Sequence, residues 1–316
     1  MIPDLRVAAL AGGVGGARLA DGLAQVLPPE NLTIIVNVGD DFEHLGLYIC
    51  PDLDTVCYTL AGAANPETGW GRQGETWRAL DVVAALDGPS WFRLGDLDLG
   101  LQLVRTSLLA QGQPLSRITR HITSRLAVHP VVLPVTDMRV PTMVLTASGQ
   151  LPFQDYFVRQ HCEPVVTGFV FSQAEQAVPA PGVLSALEAA DLIVICPSNP
   201  WVSVDPILAV SGVRAVVERK PIVAVSPIIG GKTVKGPAAK MYRELGITPS
   251  AAAVARHYQG FLTAFVLDLT DNGLKDSVIA TGVACLAAQT IMYTRADRRR
   301  LAEEILNWAK TGFPSQ

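Results

Sequence analysis

LRVAALAGGVGGARLADGLAQVLPPENLTIIVNV, residues 5–38, changes its periodicity twice. Leu5–Leu10 is a short, mostly apolar run and reads as a first strand. A glycine loop follows, Gly12-Gly13-Val14-Gly15-Gly16. LADGLAQVL then sets Leu19, Leu23, Val26 and Leu27 at helical spacing, and Pro28 and Pro29 end the helix. Leu32–Val38 is a second apolar, β-branched run, a buried strand. Strand, glycine loop, helix, strand is the opening βαβ unit of a parallel sheet, so the fold class is α/β. Ligands of such sheets bind beyond the carboxyl ends of the strands. The glycine loop lies at that edge.

The stretch that follows strand two, NVGDDFEHLGLYICPDLDT at 37–55, lies at the same edge. It carries Asp40, Asp41, Glu43, Asp52 and Asp54, with no Lys or Arg between Asn37 and Thr55. Crowded carboxylates repel one another, and a hard divalent cation with oxygen ligands relieves that repulsion. Mg²⁺ typically takes one or two carboxylates plus substrate phosphates. The plainer reading puts Asp40 and Asp41 in a solvated turn and makes Asp52 or Asp54 a helix cap.

The bulk numbers fit a soluble enzyme. The chain has 316 residues, 49% hydrophobic and 17% charged, ample for a large core. A net charge of −4 offers no global basic field for nucleic acid or acidic lipid. Five cysteines without a CxxC pair argue against zinc and a disulfide framework. Asp4 and Arg6 interrupt any export signal, so the expected location is the cytoplasm. The longest apolar run, Val278–Met292, is shorter than the ~20 residues a bilayer requires and reads as a buried helix.

Residues 1–316 read as a single α/β domain carrying two insertions. Residues 56–127 form a helical cap, with helices at Glu75–Leu86, from an Asp96 cap to Ala110, and from a Ser116 cap to Leu126. Residues 128–180 form a mixed strand insertion. The α/β pattern then resumes with LIVIC at 192–196, Pro221–Val225 and a final strand at Phe261–Leu267, before a C-terminal helix over Ala296–Ala309.

Three loops after strands suit chemistry. Gly12, Gly13, Gly15 and Gly16 let backbone N–H groups approach a phosphate at a helix N-terminus, with a ligand-free tight turn as the alternative. The spacing is not a dinucleotide fingerprint, because Arg18 stands where a third glycine belongs. Arg18 either contacts phosphate or is a surface residue. In Pro197-Ser198-Asn199-Pro200, Ser198 and Asn199 suit a nucleotide, or Asn199 simply caps a helix with Pro200 at its first position. The 226–240 loop, with Ser226, Gly230, Gly231 and Lys232, misses a Walker A pattern. Its lysines are either a local cationic loop or solvated. Trp70 and Trp77, with Tyr58, either wall a flat heteroaromatic ligand or belong to the core.

Taken together, GGVGGAR at 12–18, VNVGDD at 36–41, CPDLDT at 50–55, GWGRQGETW at 69–77, LGDLDL at 94–99, FQDYFV at 153–158, PSNP at 197–200, and VSPIIGG with GPAAK at 225–240 resemble, in order, the 2-phospho-L-lactate transferases of deazaflavin coenzyme F-420 biosynthesis. The resemblance implies a three-layer Rossmann-like fold, a helical insertion, Mg²⁺ dependence and a homodimer. It implies transfer of a phospho-lactyl or phosphoenolpyruvyl group from a guanosine-diphosphate-linked donor to the terminal ribityl hydroxyl of the deazaflavin Fo, with release of GMP. On that basis Asp40 and Asp54 are the expected Mg²⁺ ligands, and Asp41, with Asp40, the expected catalytic group toward the Fo hydroxyl. Asp52, the glycine loop, Arg18, Ser198, Asn199 and the 226–232 loop are expected to bind the donor, and Trp70 and Trp77 to line the Fo side. Leu97 stands where the family often has Arg, which leaves the donor's three-carbon acid open. The competing expectation is a non-catalytic nucleotide-sugar-binding regulator of a related glycine-loop family.

Overall fold

A computed structural model describes residues 5–314. In chain order it begins with β1 (Val7–Ala11), α1 (Gly13–Val26), β2 (Leu32–Val36), the hairpin β3 (Phe42–His44) and β4 (Leu47–Ile49), and α2 (Pro51–Leu60). Three helices follow, α3 (Arg78–Ala85), α4 (Asp96–Ala110) and α5 (Leu115–Arg125), then β5 (Val131–Pro134). Next come β6 (Thr142–Thr146), β7 (Gly149–Pro152), β8 (Val166–Phe171), α6 (Val183–Ala189) and β9 (Leu192–Ile195). The remainder is α7 (Asp205–Ala209), α8 (Val213–Val217), β10 (Ile222–Val225), β11 (Ile228–Ile229), β12 (Lys232–Thr233), α9 (Ala238–Glu244), α10 (Ala251–His257), β13 (Ala264–Asp268), α11 (Lys275–Ile279), β14 (Ala284–Ala288) and α12 (Arg295–Lys310).

Seven strands form one parallel sheet in the order β14-β13-β10-β9-β1-β2-β5. Helices flank it, giving the α/β, Rossmann-like arrangement. β1 lies inside the sheet, pairing Ala9 with Ile34 on one side and with Val194 on the other. All five residues of β1 are buried, as a strand covered on both faces must be. The chain crosses from β1 to β2 on one side and returns to β9 on the other. A crevice opens at such a reversal, and the loops after β1, β2 and β9 border it.

The C-terminal helix locks the helix that follows the glycine loop. Gly22 of α1 lies so close to α12 that a Cβ would fall 2.2 Å from the Arg298 carbonyl oxygen. Beside it the buried Asp21 accepts hydrogen bonds from Arg295 at 3.0 Å and Arg298 at 3.1 Å. A small three-stranded antiparallel sheet, β7-β6-β8, stands apart from the main sheet.

Several boundaries differ from the sequence reading. Val278–Met292 is not one buried helix: α11 stops at Ile279, a turn with Gly282 at φ +91° follows, and Ala284–Ala288 pairs with β13 as the edge strand. A short apolar run such as ACLAA has no periodicity that separates helix from strand. The strand near Phe261–Leu267 is Ala264–Asp268, and it is not the last. Asp96 does not cap its own helix. Its carboxylate accepts from the Arg78 and Ala79 N–H groups of α3 at 3.2 and 3.1 Å, which makes α3 begin at Arg78. Glu75 returns the favour, accepting from Leu97 and Asp98 at 2.8 and 2.9 Å on the first turn of α4. Ser116 lies inside α5 and donates from both its N–H and its hydroxyl to Asp137. Among the described residues no helix is long and apolar enough to cross a membrane.

Candidate active site

A cavity of about 790 Å³ opens at the carboxyl edge of the sheet. One end is the glycine loop. Gly12 ends β1 in an extended conformation, and α1 begins at Gly13, whose φ of +59° suits glycine. The Gly12 N–H donates to Ser198 Oγ at 3.3 Å, and that hydroxyl donates back to the Gly12 carbonyl at 2.8 Å. A Cβ on Gly15 would stand 2.2 Å from the Pro197 carbonyl oxygen, and one on Gly16 2.6 Å from Ser198 Oγ. The glycines therefore let two loops, 12–16 and 197–200, touch backbone to backbone. The first helical N–H is already engaged: Gly13 donates to Asp52 Oδ1 at 2.7 Å. Asp52 sits where an anion is favoured at a helix start.

Asn37, at the end of β2, gathers the acids. Its Nδ2 donates to Asp40 Oδ1 at 3.1 Å, Asp52 Oδ2 at 2.9 Å and the Val202 carbonyl at 3.1 Å. Two buried carboxylates converging on one amide resist joint ionisation. Burial and the Asp52 charge push the Asp40 carboxyl well up from the usual range. Burial pushes Asp52 up to about 6, opposed by its bonds from Asn37 and Gly13.

Asp54 is different. Arg105 Nη1 donates to its Oδ2 at 3.0 Å, Arg105 Nη2 makes a short contact with Oδ1, and Gln102 adds 2.8 Å to Oδ2. Arg105 and Asp54 are 2% and 5% exposed, so this is an ion pair out of water. The cation sought between Asn37 and Thr55 thus arrives from α4. Its signal was present in the sequence: Arg105 is the one charge in the otherwise uncharged stretch Leu99–Ala110.

Asp41 stands behind the cavity wall. Neither of its oxygens accepts a well-formed hydrogen bond, and burial holds its carboxyl well above the ordinary range. Asp98, on the first turn of α4, does line the cavity. Tyr58 OH donates to its Oδ1 at 2.7 Å and Gln102 Nε2 approaches the same oxygen at 3.4 Å. Burial and the neighbouring Asp54 charge push Asp98 up to about 6.

Two cations flank the glycine loop. Arg18 donates to the Met292 carbonyl at 3.0 Å, and Lys235 to the Glu67 carbonyl at 3.3 Å and, more closely, to Thr68. Among the described residues, neither forms an ion pair with a carboxylate. Burial holds both below their ordinary range, and Arg18 further depresses Lys235. Lys232, Gly230, Gly231 and Gly16 do not line the cavity. Gly230 and Gly231, at φ +55° and +73°, form the turn between β11 and β12, where the Gly230 N–H is held by Asp271. Ser226 and Asn199 do line it. Asn199 also caps the turn at Pro200–Val204 by accepting from the Trp201 N–H at 3.1 Å.

Aromatic rings also line the cavity: Trp91, Phe92, Phe153 and Phe157, and Trp70, half exposed, which follows Gly69 where that residue packs against Val14 of the glycine loop. Phe153 and Phe157 stack at 5.4 Å with planes 9° apart. Trp77 is elsewhere, beneath the Arg93 guanidinium at 4.3 Å. Trp91 and Phe92 were missed because SWF at 90–92 has no spacing that separates a cavity wall from core.

Among the described residues no group of three or more His, Cys, Asp or Glu side chains is arranged to hold a metal ion. Two carboxylates suffice for Mg²⁺ where substrate phosphates complete its shell. Asp40 and Asp52, side by side on Asn37 beneath the glycine loop, have that chemistry. A metal on Asp54 would first have to compete with Arg105.

Known proteins match the chain over most of its length. The profile of the family described as 2-phospho-L-lactate transferase CofD matches residues 7–309. A phosphoenolpyruvate transferase of Streptomyces griseus subsp. griseus is 42% identical over 314 residues, spanning 97% of this chain and 99% of that protein. A 2-phospho-L-lactate transferase of Methanopyrus kandleri is 38% identical over 307 residues, spanning 96% and 97%. Among solved structures, BH3568 of Bacillus halodurans, a UPF0052 family member, superposes with a TM-score of 0.65 at 16% identity, covering 97% of this chain and 100% of that one. That likeness is one of fold. The chain belongs to the 2-phospho-L-lactate transferase CofD family.

Proposed function

We propose that this family member transfers a phospho-lactyl or phosphoenolpyruvyl group from a guanosine-diphosphate-linked donor to the terminal ribityl hydroxyl of the deazaflavin Fo. GMP leaves, and the product is the coenzyme F-420 core without glutamates or its dehydro form. The observation that carries the reading is one cavity lined both by the glycine loop with two cations and by a set of aromatic rings. A diphosphate suits the first and a flat heterocycle the second. The volume of about 790 Å³ lies in the range of small-molecule sites. The names of the relatives in Streptomyces griseus and Methanopyrus kandleri supply the two candidate three-carbon acids.

In this reading Ser198 and the 12–15 backbone seat the diphosphate, with Arg18 and Lys235 neutralising its charge. Asp40 and Asp52 are the residues that would hold Mg²⁺, which would offset charge developing on the phosphoryl oxygens. The aromatic wall holds Fo, and the helical 56–127 segment serves as its cap. Alignment of the two substrates in one cavity supplies much of the acceleration. The protein works as a cytoplasmic homodimer.

The test is chromatographic. The protein is mixed with Fo, Mg²⁺ and lactyl- or phosphoenolpyruvyl-diphosphoguanosine, and GMP and a deazaflavin product are followed together. Their joint appearance supports transfer. Neither product, with tight binding of a UDP-sugar, favours the regulator instead.

A further inference from the structure

Four carboxylates line the cavity: Asp40, Asp52, Asp54 and Asp98. Their free oxygens differ. Asp52 has one oxygen on the Gly13 N–H and the other on Asn37. Asp54 has both on Arg105, with Gln102 added. Among the described residues, only Asp40 Oδ2 and Asp98 Oδ2 of these eight oxygens accept no hydrogen bond. Asp40 lies beneath the glycine loop, beside Asp52. Asp98 lies on the first turn of α4, five residues beyond the Trp91–Arg93 segment that also lines the cavity.

Asp98 is also held in direction. Its backbone N–H is fixed to Glu75 at 2.9 Å, and Tyr58 anchors Oδ1 at 2.7 Å. Gln102 approaches the same Oδ1 and is itself held by Asp54 and Arg105. A carboxylate with one oxygen pinned presents the other in a set orientation, as a positioned proton acceptor requires.

Resting on the proposed transfer, we infer that Asp98 is a further catalytic residue, whose Oδ2 accepts the proton of the acceptor hydroxyl, with Tyr58 and Gln102 as positioning residues. The acceptor's O–H bond breaks, and its proton goes to Asp98 Oδ2. Its oxygen forms a bond to the phosphorus that bears the three-carbon acid. The bond from that phosphorus to the bridging oxygen breaks, and GMP departs with the electron pair. Asp98 then releases its proton to solvent. Asp41, behind the wall, takes no part in this step.

The experiment compares wild type, Asp98→Asn and Tyr58→Phe under saturating donor and Mg²⁺. It reads kcat and KM for Fo, Fo binding by its own fluorescence, and folding by circular dichroism. For Asp98→Asn, kcat is expected to fall roughly 10²–10³-fold, while KM and Fo binding stay within about threefold. Tyr58→Phe, which frees Oδ1, is expected to lose about tenfold in kcat with little change in KM. A folded Asp98→Asn protein with kcat within threefold of wild type would overturn the assignment. If Asp98→Asn does not fold, an unchanged kcat in Tyr58→Phe overturns it and a loss confined to kcat supports it. A wild-type protein that yields no GMP overturns the transfer itself, and Asp98's role with it.

Discussion

Arg105 and Asp54, 51 residues apart in sequence, meet as a buried two-point ion pair between α4 and α2. The pair ties the helical segment to the acidic loop. Removing one partner strands the other's charge in the interior, at a typical cost of about 3–5 kcal/mol. Asp54→Asn is therefore expected to lower stability by several kcal/mol, and Asp54→Leu combined with Arg105→Met to recover most of it. Denaturant unfolding measures both. An Asp54→Asn protein of wild-type stability that is inactive at saturating Mg²⁺ would instead assign Asp54 to the metal.

The glycines are expected to divide sharply. Gly15→Ala drives a methyl into the Pro197 carbonyl, so the 12–16 and 197–200 loops must separate, at about 1–3 kcal/mol or more. Gly100, on α4, has nothing within 4 Å of an added Cβ. Gly100→Ala should raise stability by up to about 1 kcal/mol. Equal effects at both positions would mean that the glycine loop does not pack as described.

How far the sequence reached is clear from particular residues. β1, α1 and β2 were legible because the pattern switches from apolar run to helical spacing and back, with Pro28 and Pro29 between. β14 was not, since ACLAA carries no period of its own that separates strand from helix. In the site, Gly12, Gly13, Gly15, Asp40, Asp52, Ser198 and Trp70 are legible as neighbours and do line one cavity. Arg105 and Asp98 were missed as site groups because their partners, Asp54 and Tyr58, lie 40 or more residues away, and no local pattern encodes such pairing. Trp77 belongs beneath Arg93, whereas Trp91 and Phe92 line the cavity.

Donor affinity should follow the cations that reach the cavity. With GDP as the probe, Arg18→Ala and Lys235→Ala are each expected to weaken binding roughly 10–100-fold, the worth of one charge-assisted hydrogen bond. Lys232→Ala, outside the cavity, should change it less than threefold. Calorimetric titration decides. A dominant effect from Lys232 would mean that the β11–β12 hairpin closes over the nucleotide.

Asp98 also makes a stability prediction with a definite sign. Its carboxyl is pushed up to about 6 in the folded chain, above the ordinary 3.8. The native state therefore keeps a proton that the unfolded chain has lost. This group's contribution is full below about pH 4, falls as pH rises toward 6, and is level above that. Asp98→Asn should consequently stabilise the protein at pH 7.5, on the order of 1–3 kcal/mol, and have little effect at pH 4. Stabilisation at pH 7.5 joined to lost turnover is the trade expected of a group held for chemistry. Destabilisation at pH 7.5 would mean that the charged form is the better accommodated one.

The most direct measurement follows phosphorus. With the donor labelled on the phosphate bearing the three-carbon acid, transfer predicts that all label enters the deazaflavin product. Unlabelled GMP should appear in equal amount, and both should require Fo and a divalent cation. GMP formed at the same rate without Fo, with the label in the free phosphorylated acid, would contradict it and identify a hydrolase.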